Sequence, residues 1–227
     1  MLVLPRYKFE RDDTHPEGRR YFVPAANKWM FSVTNQIDKG ADKSGLADWR
    51  AWKGEEAADK ITFVAQARGN RLHKSIEDYF EKGVLPPYSF LHSAYWNSIF
   101  PYLQTITHAC LIEGSVWHPD GVVGTPDFVG QHTCDPEGFY ALDDWKSADR
   151  PIDESKPAGR LKLYGYKLQL AAYTAGLNHT YADFGLNIRK ANLLVAIPNQ
   201  KYQHFILEEE ELKQLFYHFK SRAHYSR

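Results

Sequence analysis

The sequence predicts an α/β fold, a mixed β-sheet covered by helices. Three observations predict it. Apolar residues recur at three- and four-residue steps through much of 44–103, short turn-bounded runs take over between 109 and 145, and a long helical stretch then leads into two more short runs. A chain of 227 residues with a hydrophobic fraction of 43% can bury one core and is compatible with a single domain. Within it, residues 1–30 read as an extended arm, 44–105 as a helical cap, and 106–227 as the sheet core with its closing helices.

Residues 1–30 are polar and punctuated by Pro5, Pro16 and Pro24. They show no sustained period, so an arm or a few edge residues is expected. From Ser44 to Phe80, Leu46, Trp49 and Trp52, then Ala57, Ile61, Val64 and Ala65, follow helical spacing. Two helices are expected, the second ending near Gly83. A further helix over 90–103 follows the breaker pair Pro86-Pro87. Three consecutive strands are expected over 109–117, 122–129 and 139–145, bounded by the turn clusters Pro119-Asp120-Gly121 and Asp135-Pro136-Glu137-Gly138. A helix over 161–177 comes next, then strands over 191–197 and 202–207 flanking Pro198-Asn199. A charged helix over 208–222 closes the chain.

Lys plus Arg equal Asp plus Glu at 28 each, so no overall positive field draws the protein to nucleic acid and any such binding needs a local patch. Cys110 and Cys134 are too few for a disulfide scaffold and lack the clustering of zinc or iron-sulfur ligands, which favours a reducing compartment. The start has no apolar leader run, and Glu10, Asp12, Asp13 and Glu17 argue against a transit peptide. No stretch reaches the ~18 apolar residues of a membrane span. A soluble, intracellular protein without membrane association is expected.

The pattern acid-x-Lys occurs three times, at Asp144-x-Lys146, Glu154-x-Lys156 and Glu211-x-Lys213. Only the first falls on an expected strand, where a period of two puts both side chains on one face. One strand earlier, Gly124-Thr125-Pro126-Asp127 places a proline where a central strand would not carry it, so a bulge or kink should re-aim Asp127 toward its neighbour. Two carboxylates held together repel unless a cation neutralises them, and hard oxygen ligands favour Mg2+ or Mn2+. With Lys146 beside them to orient a nucleophile or steady developing charge, the set suits phosphodiester hydrolysis. The bland alternative is a turn acid and a surface strand acid.

Further motifs give this site a family. Gly124-x-x-Asp127, then Asp144-x-Lys146-Ser147, then Gln169-x-x-x-Tyr173 resemble successive motifs of RecB-like nucleases in the PD-(D/E)XK superfamily. Upstream, Arg68-Gly69-x-x-x-His73-x-x-Ile76-Glu77 resembles the first motif of that group. Phe31-Ser32-Val33-Thr34, Trp49-Arg50 and Gly54-Glu55-Glu56-Ala57 are similar to the branch holding the mitochondrial genome maintenance exonuclease and its phage relatives. The likeness spans roughly residues 30 to 207, with Asn70 and Ser147 standing where Thr is usual.

The resemblance implies a restriction-endonuclease-like core with an N-terminal helical cap or arch. It implies Asp127, Asp144, Lys146, Gln169 and Tyr173 as catalytic residues. His73, Asp127, Asp144 and the backbone carbonyl of Trp145 would hold Mg2+ or Mn2+. His73 falls on the apolar face of its helix with Ile76 and Phe80, which fits either a ligand or a core histidine. Glu77 and Glu113 are further possible ligands; for Glu77 orientation of His73 is favoured, and for Glu113 an exposed strand position. The implied substrate is DNA, single-stranded with a free end, in the cytoplasm of a prokaryote or a phage-infected cell. Arg68, Arg71, Lys74, Ser147, Arg150, Arg160 and Lys162 could contact it. Trp49, Trp52, Tyr79 and Phe80 could stack on bases, though core packing is the favoured use of most of them. An endonuclease or duplex-end nuclease of the same superfamily is the competing enzyme, and an inactive DNA-binding module of the same fold the competing non-enzyme.

Overall fold

Side-chain alternation along two adjacent strands explains how the sheet lies between two helical layers. The computed structural model describes residues 2–223. In β9 (Lys190–Ala196), Ala191, Leu193 and Val195 join the core beneath α5 (Pro157–Thr180) and α6 (Glu209–Ala223). Leu194 and Ala196 point the other way, into a second core with α3 (Glu55–Lys82) and α4 (Phe90–Leu103). β8 (Ala141–Ser147) behaves likewise, with Leu142 in the first core and Trp145 in the second. Such apolar residues on both faces mark a covered central strand.

β4 (Ile106–Ile112), β7 (Phe128–His132) and β10 (Gln203–Glu208) complete a five-stranded sheet in the order β10-β9-β8-β7-β4. Every pairing is antiparallel except β8 with β9, whose parallel register sets Asp144 opposite Leu193. That parallel step needs a long crossover, which α5 supplies. The architecture is the expected mixed α/β sheet flanked by helices.

Several local expectations need correction. The first two expected strands are each cut in two. β4 ends at Ile112 and β5 (Val116–His118) starts afresh, because Glu113 adopts a left-handed φ of 48° that no continuing strand accepts. Likewise β6 (Val122–Gly124) stops before Pro126, and β7 begins only after Asp127. β5 and β6 pair as a small side sheet.

The first 30 residues are more than an arm. β1 (Arg11–Asp12), β2 (Arg20–Val23) and β3 (Lys28–Phe31) form an antiparallel three-stranded sheet. Its buried Tyr21, Val23 and Met30 pack on Val123 of β6. α1 (Val33–Lys39), for which no helix was expected, follows; Ser32 Oγ accepts the Asn35 N–H as its cap.

In the expected cap, α2 (Ser44–Lys53) and α3 are separated by Gly54 at φ 83°, and α3 ends on Gly83 in the left-handed conformation. The apolar stripe there is largely solvent-facing. Of its early residues only Ala58 is buried, while Trp52, Ile61, Phe63 and Val64 are exposed. The far half of α3 buries Leu72 and Ile76 against β8, and Tyr79 and Phe80 pack with Trp96, Phe100 and Phe128, as core assignment requires. Among the described residues no helix is long and apolar enough to cross a membrane.

Candidate active site

Strand period places the two ends of the acid-x-Lys pair together. Asp144 and Lys146 share a face of β8, and Lys146 Nζ lies 2.6 Å from Asp144 Oδ2. Asp144 is 1% exposed, so this charge is compensated inside the protein or not at all. Gln169 Nε2 on α5 donates to Asp144 Oδ1 at 3.3 Å. The Oδ2 atom is buried and makes no hydrogen bond among the described residues; Lys146 answers it with charge rather than hydrogen-bond geometry. Burial alone would lower the Lys146 ammonium, but the charges of Asp144 and then Asp127 outweigh it and raise it above its ordinary value.

Asp127 reaches the same strand through its backbone. Its Oδ2 accepts the Trp145 N–H at 2.8 Å, and that residue sits between Asp144 and Lys146. The break at Pro126 makes this possible, since Asp127 lies between ladders and its side chain turns toward β8. Burial pushes the Asp127 carboxyl up; His73 opposes this, and the Asp144 charge adds to it.

The remaining expected residues gather to different degrees. His73 Nε2 donates to the Trp145 carbonyl at 2.8 Å, and its Nδ1 lies 3.5 Å from Asp127 Oδ1. Its ring thus touches two of the expected ligand positions, but Nε2 carries the proton because a carbonyl can only accept. Glu77 does not orient it. Glu77 instead meets Arg6 and Lys74, each at 2.8 Å. Tyr173, one turn after Gln169, is buried with its ring against Gly124, where a Cβ would stand 2.8 Å from Cε1. Burial, then the charges of Asp127 and Asp144, holds its hydroxyl well above the usual phenol range, so it stays a donor.

Glu113 departs from its expected exposed strand position. It sits past the end of β4, half-buried, and its N–H donates to the Asp127 carbonyl at 3.1 Å. Burial raises its carboxyl, and the Asp127 charge adds to the rise. Gly114, inside the expected strand over 109–117, is the signal that could have marked the break, since an isolated glycine in a strand pattern points to a bulge.

The expected DNA-contacting residues divide. Arg68 ties α3 to the end of β8 and beyond, donating to Ser147 Oγ at 3.1 Å and to Asp149. Lys74 is engaged by Glu77 and Asp78, and Arg160 by the carbonyls of Glu154 and Ser155. Arg71 lines a cavity with Arg68, His92 and Tyr95. Lys162 approaches the Tyr166 ring. Arg150 is exposed just beyond β8.

A cleft of about 160 Å³ opens over Asp127, Glu113 and Tyr173. Its other walls are Arg11, Arg19, Tyr21, Ser32, Thr34 and Thr125, half of them from the first 30 residues. Among the described residues no three His, Cys, Asp or Glu side chains form a ready cation cage. The donor set is instead two carboxylates and a carbonyl, with His73 hydrogen-bonded at the edge. Hard oxygen donors, among them a buried carboxylate oxygen that only the Lys146 charge answers, fit a small divalent cation in chemistry.

No family model matches the chain, and neither does any curated protein. Among solved structures it is similar to the crystal structure of SSO0001, with 15% identity and a TM-score of 0.35 over 83% of this chain and 74% of that chain. It is also similar to a protein from Eubacterium rectale provisionally named an exonuclease, with 11% identity and a TM-score of 0.38 over 85% of this chain and 71% of that one.

Proposed function

We propose that this protein is a metal-dependent deoxyribonuclease of the PD-(D/E)XK superfamily, cutting single-stranded DNA from free ends in replication, repair or recombination. The observation that carries the reading is the ion pair of Lys146 with buried Asp144, with Asp127 bonded to the one peptide N–H between them. Structural acids have no need of this arrangement. Burial and the neighbouring Asp144 charge make Asp127 costly to ionise, a cost that a bound cation would offset.

Asp127, Asp144 and the Trp145 carbonyl would hold Mg2+ or Mn2+, with His73 joining once its hydrogen bond to that carbonyl opens. A divalent cation there would polarise a phosphoryl oxygen and lower the pKa of water. The chain's own groups supply the rest. Lys146 stays protonated and offers a fixed positive charge where negative charge develops on the phosphate. Gln169 keeps Asp144 in one rotamer by gripping Oδ1. Tyr173, held as a neutral phenol, is a donor at the cleft wall beside Asp127.

The test compares linear and circular single-stranded DNA with magnesium or manganese. Loss of the linear form with the circle intact supports end-dependent cutting, whereas cutting of both points to an endonuclease. Survival of both defeats the nuclease assignment. Lys146→Ala should abolish cleavage and leave DNA binding largely in place.

A further inference from the structure

The cleft floor is acidic, so a polyanion cannot enter it on the strength of the floor alone. Of the side chains that line it, only Arg11 and Arg19 are cationic. Both belong to the N-terminal hairpin. Asp13 bridges them, accepting from Arg11 Nε at 2.6 Å and from Arg19 Nε at 2.7 Å. Each guanidinium is therefore fixed by its inner nitrogen. Among the described residues the terminal nitrogens of Arg19 make no hydrogen bond, and Arg11 has only the Tyr21 hydroxyl as a further neighbour, which leaves donor edges of both at the cleft. One carboxylate between two guanidiniums leaves a net positive charge.

We propose that this clamp is a phosphate subsite: Arg11 and Arg19, pre-set by Asp13, bind a non-scissile phosphodiester of the substrate strand beside the reacting one. The proposal rests on the deoxyribonuclease reading of the cleft. Forked donors held in place match the oxyanion geometry of a phosphate better than mobile lysines do. The subsite is also rigidly tied to the acids. Arg11 pairs with Tyr21 across β1 and β2, the Arg19 carbonyl accepts the Ser32 N–H at 2.9 Å, and Tyr21 packs on Val123, one residue before Gly124. A strand phosphate gripped there is held in register with Asp127. The cleft's volume of about 160 Å³ leaves room for a phosphate group and a few waters of ~30 Å³ each.

The experiment measures fluorescence anisotropy of a labelled single-stranded oligonucleotide over a salt series, in a Lys146→Ala background. Each phosphate neutralised on a single strand contributes about 0.7 to the slope of log K against log salt, so losing the one phosphate held by the clamp in Arg11→Ala with Arg19→Ala should flatten it by about 0.7. Affinity at low salt should fall about tenfold or more. Arg11→Lys with Arg19→Lys should keep the slope but bind more weakly, because charge survives and the fork does not. Circular dichroism verifies folding of each variant. An unchanged slope in a folded double-alanine variant overturns the subsite, as does failure of the background protein to bind the oligonucleotide. A normal slope effect combined with no metal-dependent hydrolysis by the parent instead sinks the nuclease reading and leaves the anion subsite standing.

Discussion

Gly124→Ala tests whether Tyr173 is wedged between α5 and the strand leading to Asp127. A Cβ at position 124 would lie 2.8 Å from Tyr173 Cε1 and 3.0 Å from its hydroxyl. Ordinary carbon contacts begin near ~3.5 Å, so the ring must retreat by about 0.7 Å. The helix that carries it cannot retreat freely. One turn on, Gly176 is so close to Val116 and Val122 that a Cβ there would meet them at 3.0 and 3.1 Å. Overpacking of this kind costs about 1–3 kcal/mol. For a domain of this size that is a fall in Tm of roughly 2 to 12 °C. Displacing a group at the cleft wall by most of an ångström should also lower kcat by about 10- to 100-fold. Calorimetry and single-turnover cleavage of a labelled oligonucleotide read the two effects. Gly124→Ala with Tyr173→Leu should regain part of the stability and none of the rate. Gly45→Ala, where a Cβ meets nothing within 4 Å, is the steric control; sitting in α2 it should leave the rate unchanged and Tm unchanged or slightly raised. Parental Tm and rate in Gly124→Ala would refute the wedge and the placement of Tyr173 with it.

Asp127→Asn should abolish cleavage and, in chelator at neutral pH, raise Tm. The folded state holds the Asp127 proton more tightly than the unfolded chain does, so charging the group destabilises the fold as pH rises through the raised folded value. The Asn advantage should therefore shrink on acidification and vanish below the ordinary carboxylate value of about 4, and a parent more stable than Asp127→Asn at pH 8 contradicts this. On the opposite face of β8, Asp143 is fully buried, taking hydrogen bonds from Tyr102 at 3.0 Å and Asn192 at 2.8 Å, with His132 Nε2 at 3.0 Å. Asp143→Ala strands these partners and should cost about 3–5 kcal/mol in chemical denaturation, with hydrolysis by the remaining folded protein retained. A mild loss would mean that water replaces the carboxylate.

Much of this was legible because it rests on period. Asp144 and Lys146 are two residues apart on a strand, and Gln169 and Tyr173 one turn apart on a helix, so local geometry alone brings each pair to one face. Pro126 announced the break that frees Asp127. What could not be read depends on contacts between distant segments. The hairpin around Arg11 and Arg19 has short strands, prolines and one buried face no wider than Tyr21, Val23 and Met30, too little to give a period. Its place over the cleft is fixed by Val123, about a hundred residues further on in the chain. The helical stripe over 57–65 misled in the other direction. Its spacing is that of a packed helix, yet Val64 is 59% exposed, because periodicity shows that a face exists and not what covers it. Glu77 was spaced to meet His73, but Arg6, from far away in the chain, holds it instead.

The central claim, that Asp127 and Asp144 share one divalent cation, is tested most directly by anomalous diffraction from crystals soaked in manganese. The predicted result is a peak within about 2.5 Å of a carboxylate oxygen of each aspartate and of the Trp145 carbonyl, with the His73 ring turned off that carbonyl. A peak elsewhere, or none in crystals whose carboxylates are ionised and reachable, contradicts the claim.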